Sequence, residues 1–139
     1  MAVVKELLRA ENNGGVSFGN YELTQKSKLD NFEHQGDLYK VKTFYEITKL
    51  EKNGLFVYES VPGTAVTNFM TTPQGVNFMV EGREDAQITL ELEEEQEYQI
   101  TINGEEAGTM KTNLSGKLNL SVELGEGIQA EVSIVRCKD

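Results

Sequence analysis

A chain of 139 residues, 38% hydrophobic and 26% charged, has the length of one ordinary domain and can bury a core without staples. Its net charge of −10 repels phosphate backbones and anionic bilayers, which argues against nucleic-acid and membrane partners, and no apolar run approaches the length of a membrane span. Cys137 is the only cysteine, which excludes an intrachain disulfide and a secreted disulfide scaffold.

The charge is unevenly distributed. Residues 1–55 hold eight Lys/Arg and eight Asp/Glu, whereas residues 56–139 hold five and fifteen. An acidic surface of this kind keeps a protein soluble. The opening MAVVKELLRAE has charges scattered through it and does not form a secretory signal. The expected location is therefore the cytoplasm, a leader already removed being the other reading.

Residues 2–11 predict a short N-terminal helix. Val3, Val4, Leu7 and Leu8 fall on one side and Lys5, Glu6 and Arg9 on the other, and Asn12-Asn13-Gly14-Gly15 stops it. So short a helix is marginal alone, so its apolar stripe is expected to dock on the rest of the domain. Val16 to Leu23 reads as a first strand, with Val16, Phe18 and Tyr21 toward a core. Gln25 to Asp37 is polar and rich in turn residues, and is expected to be the least regular stretch.

Leu38 to Leu50 then predicts one long strand with Tyr39, Val41, Thr43, Tyr45 and Ile47 on one face. Asn53-Gly54 joins it to Leu55–Ser60 as a hairpin, because both turn residues tolerate positive φ. Val61-Pro62-Gly63-Thr64 and Thr72-Pro73-Gln74-Gly75 read as turns on either side of a short strand at Ala65–Phe69. Val76, Phe78 and Val80 resume the alternation.

From Gln87 to Arg136 the pattern is clearest. Ile88, Leu90 and Leu92 alternate with polar residues, as do Tyr98, Ile100 and Ile102, then Leu118, Leu120, Val122 and Leu124, then Ala130, Val132 and Ile134. Asn103-Gly104, Ser115-Gly116 and Gly125-Glu126-Gly127 punctuate these runs. Successive strand residues point to opposite faces, so each run has one buried and one solvated side. The expected fold is mostly β: a two-sheet antiparallel β-sandwich with a short N-terminal helix. It forms a single domain over residues 1–139, in which residues 1–55 (N-terminal helix and β elaboration) sit on a core sandwich of residues 56–139.

The chemical inventory nominates no catalytic residue and no bound cofactor. Among loop residues, Asp30, Glu33, His34 and Asp37 are the candidate metal ligands, because oxygen-rich loops hold calcium and a histidine adds a nitrogen donor for another divalent metal. Glu91, Glu93, Glu94, Glu95 and Glu97 read as solvated charges that blunt edge pairing. The aromatic residues concentrate before residue 60, and the segments 38–50 and 55–60 carry apolar residues on both faces. Such strands are either central between layers or expose a patch. Tyr39, Phe44, Tyr45, Phe56 and Tyr58 are thus the candidate interaction residues.

Residues 90–135 lead from Tyr98-Gln99-Ile100 through Asn103-Gly104, Thr109–Thr112 and Ser115-Gly116 to the alternating Leu118–Val122. This succession resembles the small β-sandwich modules appended to polysaccharide-degrading enzymes. The stretches YKVKTFYEITKLEKNG, from Tyr39, and VYESVPGTAVTNF, from Val57, are similar to a family of short, poorly characterised bacterial proteins, some labelled "endosialidase". The first resemblance implies a β-sandwich and carbohydrate binding. The second implies sialic-acid hydrolysis, which needs an arginine cluster, whereas Arg9, Arg83 and Arg136 lie far apart in the chain. The expected function is a non-catalytic interaction protein that self-associates as a homo-oligomer or docks on a protein partner through the aromatic hairpin 38–60. A carbohydrate-binding module that takes a glycan is the alternative, and a glycan-acting enzyme the third reading.

Overall fold

Alternation in the sequence becomes sidedness in the fold. The computed structural model describes residues 3–137, which form two antiparallel sheets and no helix. In chain order the strands are β1 (Leu8–Ala10), β2 (Val16–Phe18), β3 (Ser27–His34), β4 (Asp37–Thr43), β5 (Thr48–Lys52), β6 (Leu55–Val61), β7 (Ala65–Thr72), β8 (Gly75–Glu81), β9 (Ala86–Glu91), β10 (Glu97–Ile102), β11 (Glu105–Lys111), β12 (Lys117–Val122) and β13 (Gln129–Arg136). A seven-stranded sheet runs β1-β2-β7-β8-β13-β10-β11, and a six-stranded sheet runs β12-β9-β6-β5-β4-β3.

One apolar core lies between the sheets, an arrangement of β-sandwich type. Leu118, Leu120 and Val122 pair with Leu90, Ile88 and Ala86, and all six are buried. At its centre the ring of Tyr58, from the six-stranded sheet, meets Phe18, Phe69 and Phe78 from the other sheet edge-on, at centroid distances of 5.2, 6.0 and 5.7 Å. Edge-on pairs of this kind contribute roughly 0.5–1.5 kcal/mol each beyond area burial.

The N-terminal helix is absent. Leu8–Ala10 pairs with Val16–Phe18 as a hairpin, closed by Glu11 N–H donating to the Gly15 carbonyl at 2.9 Å. Val3, Val4 and Leu8 are buried all the same, Leu8 within the core cluster. Leu7 takes φ 74°, which no helix tolerates. A helix this short cannot hold itself, whereas a strand here covers the open edge of β2. The Glu11 carboxylate adds to the hairpin by accepting from the Ser17 hydroxyl and from Arg9 Nε (3.1 Å), and the Ser17 bond above all holds that carboxyl below its ordinary pKa. Ala2, the first residue of the expected helix, lies outside the described residues.

Two more expectations are corrected. The stretch 25–37 contains β3, paired with β4 around a bulge between Leu29 and Phe32. Its residues are exposed or only partly buried, so no apolar alternation announced it. The long strand 38–50 is two strands, broken at Phe44–Ile47, where Phe44 N–H donates to the Ile47 carbonyl at 3.0 Å. Buried hydroxyls hold this turn. Thr43 Oγ1 lies 2.8 Å from Thr48 Oγ1, which donates to the Thr64 carbonyl at 3.0 Å. Gly63 closes over it, donating its N–H to the Tyr45 carbonyl at 3.0 Å, and a Cβ at Gly63 would overlap the Phe44 carbonyl oxygen.

Candidate functional site

In β4 and β5, Tyr39, Val41, Thr43, Thr48 and Leu50 point inward, so Lys40, Lys42, Lys49 and Glu51 point outward. Register then sets these outward residues side by side. Lys28 of β3 pairs with Lys42, Lys42 pairs with Lys49, and Lys49 pairs with Glu59 of β6. Three ammonium groups therefore occupy directly opposed positions on consecutive strands, an arrangement that is destabilising in itself. The Lys28 ammonium foremost, then partial burial, then Lys26, Lys49 and Lys40, draw Lys42 below its ordinary pKa. Glu59, whose carboxylate is 3.9 Å from Lys49 Nζ, bounds the row on one side.

Aromatic and apolar groups lie at both ends of this face. Phe56, across from Glu51, is 41% exposed with Lys49 Nζ at 5.0 Å from its ring centroid, and Leu38 is exposed on the same face at the hairpin end. At the other end Tyr45 is 47% exposed and packs edge-on against Phe44 at 5.3 Å, while Lys26 Nζ lies 5.7 Å from the Phe44 ring. Cation–ring contacts of this type hold lysine ammonium groups near the apolar ends.

The expected interaction residues thus divide. Tyr45 and Phe56 are on the surface, and Phe44 is half-buried. Tyr39 and Tyr58 are 8% and 1% exposed, and as surface contact residues they are corrected. They face inward because they alternate with Lys40 and Glu59. Tyr58 hydroxyl lies 2.8 Å from Thr64 Oγ1, and burial drives its pKa far upward. Sequence reasoning missed the lysines. Period-two reading would have found Lys40, Lys42 and Lys49 opposite the inward residues, but Lys28 joins the row only through β3.

The metal candidates are not gathered into one group, although His34 and Asp37 pair across the β3–β4 hairpin. Asp30 and Glu33 are exposed on β3, His34 Nε2 is 3.0 Å from the Gly14 carbonyl, and Asp37 accepts from Asn53 Nδ2 at 2.8 Å with Lys52 Nζ at 3.6 Å. The Asn53 bond first, and Lys52 after it, hold the Asp37 carboxyl below its ordinary pKa. Among the described residues, no group of three or more His, Cys, Asp or Glu is placed to hold a metal ion.

Elsewhere, a polar cleft of about 410 Å³ is lined by Tyr21, Glu22, Glu81, Arg83, Glu126 and Gln129. Glu81 is almost buried, and its two carboxylate oxygens accept from Tyr21 Oη at 3.0 Å and Gln129 Nε2 at 3.3 Å. Burial and then the Glu81 bond push the Tyr21 phenol up to about 12, so at neutral pH it is a donor rather than a nucleophile. The Arg83 guanidinium lies 5.8 Å from the Tyr21 ring. The other two arginines serve elsewhere, Arg9 with Glu6 and Glu11, and Arg136 with Glu93.

An apolar cleft of about 240 Å³ also opens between the sheets at the β7–β8 turn, among Val57, Phe69, Val76, Leu90 and Tyr98. Its rim charges are paired, Glu91 with Lys117 at 3.1 Å and Glu93 with Arg136 at 2.8 Å.

No family model, no curated protein and no solved structure matches the chain. Among the described residues, no helix is long and apolar enough to cross a membrane.

Proposed function

We propose that the protein is a non-catalytic interaction protein that docks on a protein surface, or on a second copy of itself, through the outer face of β3–β6. The observation that carries this reading is the row Lys28–Lys42–Lys49 between two aromatic ends, exposed Phe56 at one and exposed Tyr45 with half-buried Phe44 at the other. An isolated fold gains nothing from opposing three like charges, whereas a partner that brings carboxylates and apolar contacts turns that cost into binding energy. Aromatic residues at such a face are the usual anchors of an interface. Sedimentation equilibrium and capture of partners, compared for wild type, Phe56→Ala and Tyr45→Ala, test it. Each truncation is expected to weaken association roughly five- to tenfold without altering the fold. A wild-type monomer at every concentration, whose captured partners are unaffected by either change, would reject the proposal.

A second reading has its own support. The cleft at Tyr21 and Glu81 carries planar hydrogen-bonding groups around an aromatic ring, the set that recognises a sugar, and the resemblance of residues 90–135 to carbohydrate-binding sandwiches points the same way. A glycan ligand would quench tyrosine fluorescence in wild type and not in Tyr21→Phe. A glycan array without a single binder would remove this reading.

A further inference from the structure

The lysine row is short and bounded. It crosses three strands, a width of about 10 Å at the usual strand spacing. Beyond Lys49 the same line continues to Glu59, Thr89 and Asn119, and Lys40 pairs with Glu51. A long polyanion laid along this line would leave the lysines and run onto carboxylates, on a protein whose net charge is already −10. The footprint fits a compact group of carboxylates better than an extended chain.

The protein displays such a group. The connection from β9 to β10 presents exposed Glu93, Glu94, Glu95 and Glu97. Glu94, Glu95 and Glu97 fall within four consecutive residues, so they span at most roughly 13 Å. The turn is firmly built. Gln96 N–H donates to Thr112 Oγ1 at 3.0 Å, that hydroxyl donates to the Glu93 carbonyl at 2.6 Å, and Glu95 N–H donates to the Asn113 carbonyl at 3.2 Å. Thr112 itself is buried. A surface held this way loses little freedom on docking. Among the described residues only Glu93 of these four is in an ion pair, with Arg136.

We infer that the lysine face of one copy binds the acidic β9–β10 turn of a second copy. The inference rests on the docking role proposed for that face. The two surfaces are different parts of the chain: one is the outer face of β3–β5, the other the crossing between sheets at β9 and β10. The contact is therefore heterologous, and repeats head to tail into a ring or a filament instead of closing as a two-fold dimer. At physiological ionic strength the Debye length is about 8 Å, so the apposed charges attract while the remaining surface, net acidic, is largely screened.

Charge reversal tests this directly, by sedimentation velocity at about 0.1 M and 1 M NaCl, between which the Debye length falls from about 10 to about 3 Å. Wild type is expected to associate at the lower salt and to dissociate at the higher. Lys28→Glu/Lys42→Glu and Glu94→Lys/Glu95→Lys are each expected to be monomeric, with unchanged circular dichroism. An equimolar mixture of the two variants is expected to associate again, because the acidic turn of one then meets the basic face of the other. If the face variant dissociates while the turn variant associates like wild type, the face is a docking surface but this occupant is wrong. A wild type that never self-associates, or association indifferent to both reversals, overturns the inference. So does a lysine face that retains a polyanion column, and loses it on reversal, without any self-association.

Discussion

Thr64 shows how single hydroxyls fix the frame beneath the docking face. Its Oγ1 stands 2.8 Å from Tyr58 Oη and 2.7 Å from Ser60 Oγ, and its backbone N–H donates to Thr48 Oγ1 at 3.1 Å. All four residues are buried, and no side-chain polar atom in the described core lacks a partner. Removing one member of such a set leaves its partners desolvated and unpaired, which costs about 1–3 kcal/mol. Thr64→Val, which keeps the shape and deletes the hydroxyl, is therefore expected to lower stability by about that amount in urea unfolding, with an unchanged slope. Tyr58→Phe is expected to cost less, about 0.5–1.5 kcal/mol, because Thr64 then still has Ser60. Equal costs, or no cost for Thr64→Val, would mean that solvent reaches the network.

At the scale of elements, legibility followed burial. β8, β9, β10, β12 and β13 were evident in the sequence because each buries alternate apolar residues, and Asn53-Gly54 gave the β5–β6 hairpin because its φ values of 52° and 84° are those a two-residue turn needs. β3 and β11 were obscured for the opposite reason. They are the outer strands of the two sheets, β11 is exposed throughout, and polar residues on both faces carry no periodic signal. The N-terminal segment misled because Val3, Val4, Leu7 and Leu8 fit a helical stripe as well as they fit a sheet edge. What decided between them is a long-range fact, the open edge of β2, which no local window contains. The docking face inherits the same division. Phe56 and Tyr45 were legible as aromatic residues on two-sided strands, but the lysine row is a product of register, and register between β3 and β4 passes through a bulge.

At the scale of the whole molecule, the first 55 residues do two jobs. They contribute β1 and β2 to one sheet and β3, β4 and β5 to the other, and their balanced charge reflects the lysines that β3–β5 carry outward. Their inward residues complete the core: Phe18 stacks edge-on with Tyr58 and Phe69, while Val41 and Leu50 lie in the same buried cluster as Ile88 and Val132. A fragment of residues 56–139 would keep β6–β13 but strip β6 and β7 of their neighbours β5 and β2, leaving both as open edges and uncovering Tyr58 and Phe69. Two apolar edges of this kind invite aggregation, and the two lost aromatic pairs forfeit roughly 1–3 kcal/mol more. The fragment is therefore expected not to fold cooperatively, while the full chain unfolds in one transition with tyrosine fluorescence and far-ultraviolet circular dichroism coinciding. A fragment with a sharp urea transition of its own would instead make residues 1–55 an addition to a self-sufficient sandwich, and the lysine row would then be a module that can be removed without unfolding the rest.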